Sequence, residues 1–130
     1  MSDSLVIIPT YNERENIEPM IRTIMVLPSA FDVLIVDDNS PDGTADIVNK
    51  LIFEYPNRLF LLSRKAKDGL GRAYIAGFKW ALERNYQFIF EMDCDFSHPP
   101  QDLIRLKEAC LNGYDVAIGS RYCKGGKVKD

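Results

Sequence analysis

One histidine, one tryptophan and three cysteines are all that 130 residues supply of these types, and the scarcity narrows the chemistry. Cys94, Cys110 and Cys123 are odd in number and form no Cys-x-x-Cys, so neither a disulfide framework nor a zinc knuckle is expected and reduced thiols are the default. Cys94 reads as a small core-facing residue. The lone His98, placed before Pro99, reads as a loop residue rather than a ligand. A surplus of positive charge is also missing. Sixteen basic against nineteen acidic residues give a net charge of -3 and a pI near 5.2, so no global field draws nucleic acid. Long apolar runs are absent too: Leu5 to Pro9, Val33 to Val36 and Phe88 to Phe90 fall far short of the roughly 20 residues that span a bilayer. The first of them lacks the basic leader and the length of a signal peptide. No linker, repeat or low-complexity segment interrupts the chain, and 46% hydrophobic content suffices for one core.

What is present is alternation. Ser4-Leu-Val-Ile-Ile-Pro9, Phe31 to Asp38, Arg58 to Ser63, Gln87 to Met92 and Tyr114 to Ser120 read as strands, apolar and β-branched. Between them lie amphipathic segments with helical spacing. The first is capped by Asn16, takes Pro19 in its first turn and carries Ile17, Met20, Ile21, Ile24 and Leu27. The second runs from Thr44 to Tyr55, the third from the glycine-rich Gly69 to about Asn85, and the fourth from Pro99-Pro100 to the Asn112-Gly113 stop. Arg121 to Asp130 reads as a basic tail with no core pattern. Strand and helix in turn predict βαβ units, hence an α/β fold with a mainly parallel sheet and helices on both faces.

Acids fall where that fold binds ligands. Phe88-Ile-Phe-Glu-Met-Asp-Cys-Asp ends an apolar strand in Asp93 and Asp95, spaced i, i+2, and the strand ending at Val36 is followed by Asp37 and Asp38. In open α/β sheets the ligand crevice lies just outside the carboxyl ends of the strands, so topology gathers all four carboxylates along one crevice. Two close oxygen ligands suit Mg²⁺ or Mn²⁺, which takes one or two carboxylates and completes its shell with water and substrate phosphates. The pattern points to a metal-diphosphate site. The glycines of Gly69-Leu-Gly-Arg-Ala-Tyr-Ile-Ala-Gly77 are not a dinucleotide fingerprint, because they do not directly follow a first strand; they suggest close approach of a helix to the sheet or to something flat.

Five ordered stretches carry a resemblance: Ile8-Pro-Thr-Tyr-Asn-Glu-Arg-Glu-Asn16, Val36-Asp-Asp-Asn-Ser-Pro-Asp-Gly-Thr44, Gly69 to Gly77, Met92-Asp-Cys-Asp-Phe-Ser-His-Pro99 and Gly119-Ser-Arg-Tyr122. With them the chain resembles family 2 glycosyltransferases, most closely those that use dolichyl or polyprenyl phosphate and mannose. The resemblance implies a GT-A (Rossmann-like) fold. It implies that Pro9, Tyr11, Glu13 and Asp38 line the pocket for base and ribose, with Asp37 supporting it and Gly71 letting a helix approach the nucleotide. Asp93 and Asp95 would hold a divalent ion on the diphosphate, Arg121 would face phosphate on donor or acceptor, and His98 would lend support behind them. The implied reaction moves mannose from GDP-mannose to a polyprenyl phosphate at the cytoplasmic membrane face, with a UDP-sugar glucosyltransferase or a nucleotide-binding fragment without turnover as rival readings. Members of the family extend well beyond the Gly-Ser-Arg-Tyr motif. Residues 1–130 are therefore expected to be a single nucleotide-sugar-binding domain cut short on its acceptor side, peripheral to the membrane in the full-length protein. A receiver-like signalling domain would want acids after the first strand and a lysine after the fifth, where this chain has Pro9 and Ser120.

Overall fold

Two segments lack any polar alternate, Ser4–Thr10 (β1) and Asp32–Asp37 (β2), and both are buried on both faces, as central parallel strands are. They were located in a computed structural model that describes residues 3–28, 30–65, 70–95, 99–111, 117–118 and 121–122. Leu59–Ser63 (β3) and Phe88–Glu91 (β4) complete a parallel sheet in the order β3-β2-β1-β4. Four helices connect or follow the strands: Arg14–Met25 (α1), Thr44–Glu54 (α2), Leu70–Leu82 (α3) and Asp102–Leu111 (α4).

The period-two alternation of side chains along each strand sorts the core into two layers. On one face, Val6, Ile8, Val33, Ile35 and Phe90 meet Ile17, Met20 and Ile21 of α1, Val48 of α2 and Leu103 of α4. On the other, Leu5, Ile7, Leu34, Val36 and Ile89 meet Ala73, Tyr74 and Ala81 of α3. Gly77 makes the second layer possible: a Cβ there would sit 2.6 Å from Cγ2 of Ile7, so only glycine lets α3 lie this close to the central strand. The direction of winding reverses between β1 and β4, and that switch point is where such sheets open a crevice.

Pro9 fits a central strand because of this opening. The Ile7 carbonyl accepts from the Met92 N–H (3.0 Å) and the Thr10 carbonyl from the Asp38 N–H (3.1 Å). Alternation then aims the nitrogen of Pro9 toward β4, beyond the last rung of that ladder, where no N–H is needed.

Two expectations need correction. The first helix starts at Arg14 and not at Asn16, because its cap comes from another loop rather than from its own sequence. The Glu13 carbonyl accepts from the N–H groups of Asn16 and Ile17, while Thr44 Oγ1 and Asp42 Oδ2 accept from the N–H groups of Glu13 (3.2 Å) and Arg14 (3.1 Å). Pro19 consequently falls in the second turn, on an exposed side of the helix where water can serve the carbonyl left without a ladder partner. In place of a fifth parallel strand, Ala117–Ile118 (β5) pairs antiparallel with Arg121–Tyr122 (β6) in a separate two-stranded sheet. Arg121 therefore lies on a short strand beside β4 rather than on a tail. Cys94 is a buried thiol as expected, and Cys123 lies outside the described residues. His98, Gly69, the Asn112-Gly113 stop and residues 123–130 also lie outside the described residues.

Candidate active site

Each of β1 and β2 leaves the sheet through an asparagine in the left-handed region, Asn12 at φ +56° and Asn39 at φ +58°, a conformation that a short polar side chain tolerates. The two exits are then stitched together. Asp37 is 1% exposed, and its Oδ1 accepts from Thr10 Oγ1 (2.7 Å) and Ser40 Oγ (2.6 Å) while its Oδ2 accepts from the Ser40 N–H (3.0 Å). Ser40 Oγ in turn accepts from the Asn12 N–H at 2.9 Å. Asp42 spans the same gap: Oδ2 takes the Arg14 N–H, Oδ1 takes the Thr44 N–H and hydroxyl, and its carbonyl accepts from Arg14 Nη1 at 3.3 Å. Together with the Thr44 hydroxyl on the Glu13 N–H, Asp42 thus satisfies the first two amides at the start of α1. The carboxylate of Asp37 is an internal fastening.

Asp38, one residue on, is buried at 5% exposure and pairs with Nη1 of Arg64 at 3.2 Å. Arg64 is the first residue past β3, and its own N–H donates to the Asp37 carbonyl at 2.7 Å. Tyr11, just past the end of β1, is 39% exposed, and Pro9 is buried within that strand.

The β4 end is built differently. Asp93 is half-buried and accepts a hydrogen bond from the hydroxyl of Tyr74 at 2.8 Å, and Asp95 is exposed. Glu13 reaches the same spot from the start of α1. Its carboxyl is pushed above the usual range first by burial and then by the charges of Asp95, Asp42 and Asp93, against a hydrogen bond from Asn16 that lowers it. The Cys94 thiol is likewise held neutral by burial, with Glu13, Asp95 and Asp93 adding to the effect. Three carboxylates from β1's exit and β4's exit therefore share one patch of negative potential.

That patch is suited to a divalent cation bound from one side. Among the described residues no three His, Cys, Asp or Glu side chains close into a cage. An ion on Asp93 and Asp95 would fill its shell with water and substrate oxygens, the habit of Mg²⁺ and Mn²⁺. Tyr74 donates to the one oxygen of Asp93 and leaves the other for a ligand.

Gly71 does not sit against the crevice floor: it is exposed, and a Cβ there would meet nothing within 4 Å. Steric need at Gly71 is therefore absent from the chain itself. Three residues escaped the sequence reading. Tyr74 was visible only as a polar-tipped aromatic on the helix face that also carries Ala73 and Gly77. Arg64 was one of several cations in a charged loop. Glu91 had a clearer signal, an acid within an apolar strand; it is 4% exposed, and burial first and Asp93 second push its carboxyl up to about 7.

Residues 5–130 match the model of glycosyl transferase family 2. The chain belongs to that family. Its relatives include a polyprenol monophosphomannose synthase of Mycolicibacterium smegmatis, 47% identical over 127 residues, and an undecaprenyl-phosphate mannosyltransferase of Micrococcus luteus, 49% identical over 124. These matches cover 98% and 95% of the chain but 48% and 50% of those proteins, so the family 2 chain spans about half the length of the curated relatives it matches. Among solved structures, a mannosyltransferase from Pyrobaculum calidifontis in complex with GDP-Man and Mn²⁺ superposes with a TM-score of 0.69 at 25% identity, over 78% of this chain and 30% of that one. The parallel sheet with helices on both faces is the GT-A fold of this family. Among the described residues no helix of this family 2 domain is long and apolar enough to cross a membrane.

Proposed function

We propose that this chain is the donor-binding part of an inverting, metal-dependent glycosyltransferase that moves mannose from GDP-mannose to a polyprenyl phosphate. The observation that carries the reading is the junction of Asp93, Asp95 and Glu13 at the switch point between β1 and β4, with Asp38 just past the end of the neighbouring β2. A nucleoside diphosphate laid along the strand ends would place its base and ribose toward Tyr11 and Asp38 and its phosphates toward Asp93 and Asp95. Asp37 would hold the two exits at fixed separation, and Arg121, on β6 beside β4, would meet phosphate from the acceptor side.

In the reaction, an oxygen of the acceptor phosphate forms a bond to the anomeric carbon while the bond from that carbon to the donor diphosphate breaks. The electron pair leaves on the diphosphate, and one in-line displacement inverts the centre. Mg²⁺ or Mn²⁺ on Asp93 and Asp95 would supply charge stabilisation for the departing diphosphate. A phosphate nucleophile is already anionic and needs no general base, which fits a site with carboxylates and no histidine dyad among the described residues. The arginine fork of Arg121 suits its planar oxygens.

Residues 1–130 act as one domain in this proposal, with acceptor recognition completed by sequence that the relatives possess beyond this span. The full-length protein would work at the cytoplasmic face of a membrane, where the lipid phosphate is presented. Calorimetric titration with GDP-mannose and UDP-glucose, each with and without Mn²⁺, tests the reading: preference for the guanine donor, and only with metal, is expected, and preference for the uridine donor would reassign the base and sugar.

A further inference from the structure

The helix that steadies Asp93 has a second face. Along α3 the residues Leu70–Leu82 include no acid, which is unusual in a chain of net charge -3. Ala73, Tyr74, Gly77 and Ala81 face the sheet. Arg72, Ile75, Lys79 and Leu82 are all exposed, Ile75 at 55% and Leu82 at 53%. Their spacing of three, four and three residues puts them within an arc of about 80° at 3.6 residues per turn, a single stripe. Cation and aliphatic residue alternate along it. At its upper end Arg64 joins Arg72, Ile75, Ala76 and Lys79 around an open depression of about 500 Å³. Arg64 has Asp38 beside it, but neither Arg72 nor Lys79 makes an ion pair with a described residue.

A helix that buries one face and exposes both cations and large aliphatics on the other is not explained by the core. Exposed Ile and Leu gain nothing from water, and like charges lining one depression repel until an anion joins them. Basic groups flanking apolar ones are the pattern of a helix lying in the headgroup region of a bilayer, where cations meet lipid phosphates and aliphatics enter the acyl boundary.

We propose that the outer stripe of α3, Arg72-Ile75-Lys79-Leu82 with the adjoining depression, docks on a membrane surface rich in anionic phospholipid. The inference deepens the proposed function and rests on it: Tyr74, on the inner face of the same helix, touches Asp93, so docking this stripe brings the metal-carboxylate end of the crevice within about a helix diameter of the headgroups from which a lipid phosphate would come.

The test is flotation of the full 130-residue chain with vesicles of phosphatidylcholine alone and with a large share of phosphatidylglycerol. Binding is expected to the anionic vesicles only and to weaken with salt. Arg72→Glu with Lys79→Glu should abolish it, since even neutralising each cation near an anionic surface costs about fivefold in partitioning. Ile75→Ser with Leu82→Ser should weaken it at every salt concentration, a loss that screening cannot mimic. Equal binding by the parent chain and the charge-reversed chain would overturn the proposal, as would binding indifferent to phosphatidylglycerol. So would inorganic pyrophosphate that saturates the chain at millimolar concentration and leaves vesicle binding unchanged, the mark of a depression that serves a soluble anion and not the membrane. Titration of GDP in parallel separates the two readings: retained metal-dependent GDP affinity without vesicle binding sinks the docking surface alone, and loss of GDP affinity in the parent sinks the donor site beneath it.

Discussion

The ends of β2 and β4 begin from the same design, an apolar strand finishing in a pair of acids, and they reach opposite outcomes. At β2 both carboxylates are buried; Asp37 holds three hydrogen bonds from Thr10 and Ser40, and Asp38 faces Arg64. At β4 Asp95 is exposed, Asp93 keeps one neutral donor, and a third acid, Glu13, crowds them. Acids are gathered near solvent at one strand end and buried as internal fastenings at the other. A pair of acids at a strand end is thus a candidate site only when its surroundings leave it accessible to a ligand.

The comparison is broken most severely at Asp37. Asp37→Ala should cost about 3 kcal/mol of stability, since it strands the Thr10 and Ser40 donors in a buried setting. Urea unfolding with an unchanged slope would read the shift in midpoint. A loss below 0.5 kcal/mol would show that the clamp is not structural.

Glu91 sharpens the β4 side. Its carboxyl ionises in the fold at about 7, above an ordinary glutamate, so the folded state binds the extra proton. Stability should therefore be highest below pH 4.5 as far as this group is concerned and fall as pH rises toward 7, by about 3 kcal/mol if the whole shift is realised. In chelator, Glu91→Gln should flatten that slope and be the more stable protein at pH 8, as thermal melts across the range would register. An unchanged slope would mean that the carboxylate is solvated.

Smaller effects are expected at the crevice walls. Asp38→Asn should weaken nucleotide binding by about 1 to 3 kcal/mol if a base or ribose donor loses its acceptor, measured by titration alongside an intact circular dichroism spectrum. Tyr74→Phe removes the hydroxyl that donates to Asp93, and a drop of about tenfold in Mn²⁺ affinity is expected from losing such an orienting bond. Electron paramagnetic resonance of free Mn²⁺ reads that directly, without any turnover. No change would leave Tyr74 a core residue.

The sheet order and the acids at strand ends were legible because both follow from local alternation and from the rule that parallel strands need crossovers. The start of α1 was not, since Asp42 and Thr44 cap it from about 30 residues away in the chain. Residues 114–120 carry a strand's composition, yet Ala117–Ile118 turns back on Arg121–Tyr122 instead of joining the main sheet; propensity specifies a strand without naming its partner. Glu91 and Tyr74 were hidden for another reason. Each sits at a position that core periodicity already accounts for, and only the tertiary neighbour, Asp93 in both cases, gives it a further role.

The central claim is that Asp93 and Asp95 bind a nucleoside diphosphate through a divalent ion. Isothermal titration of GDP into the wild-type chain and into Asp95→Ala, each in Mn²⁺ and again in excess chelator, tests it most directly. The account predicts tight binding only for the wild type with Mn²⁺, at least tenfold weaker binding in the other three titrations, and stability of Asp95→Ala within 0.5 kcal/mol of wild type, as an exposed position allows. Equal GDP affinity in Mn²⁺ and in chelator would contradict it.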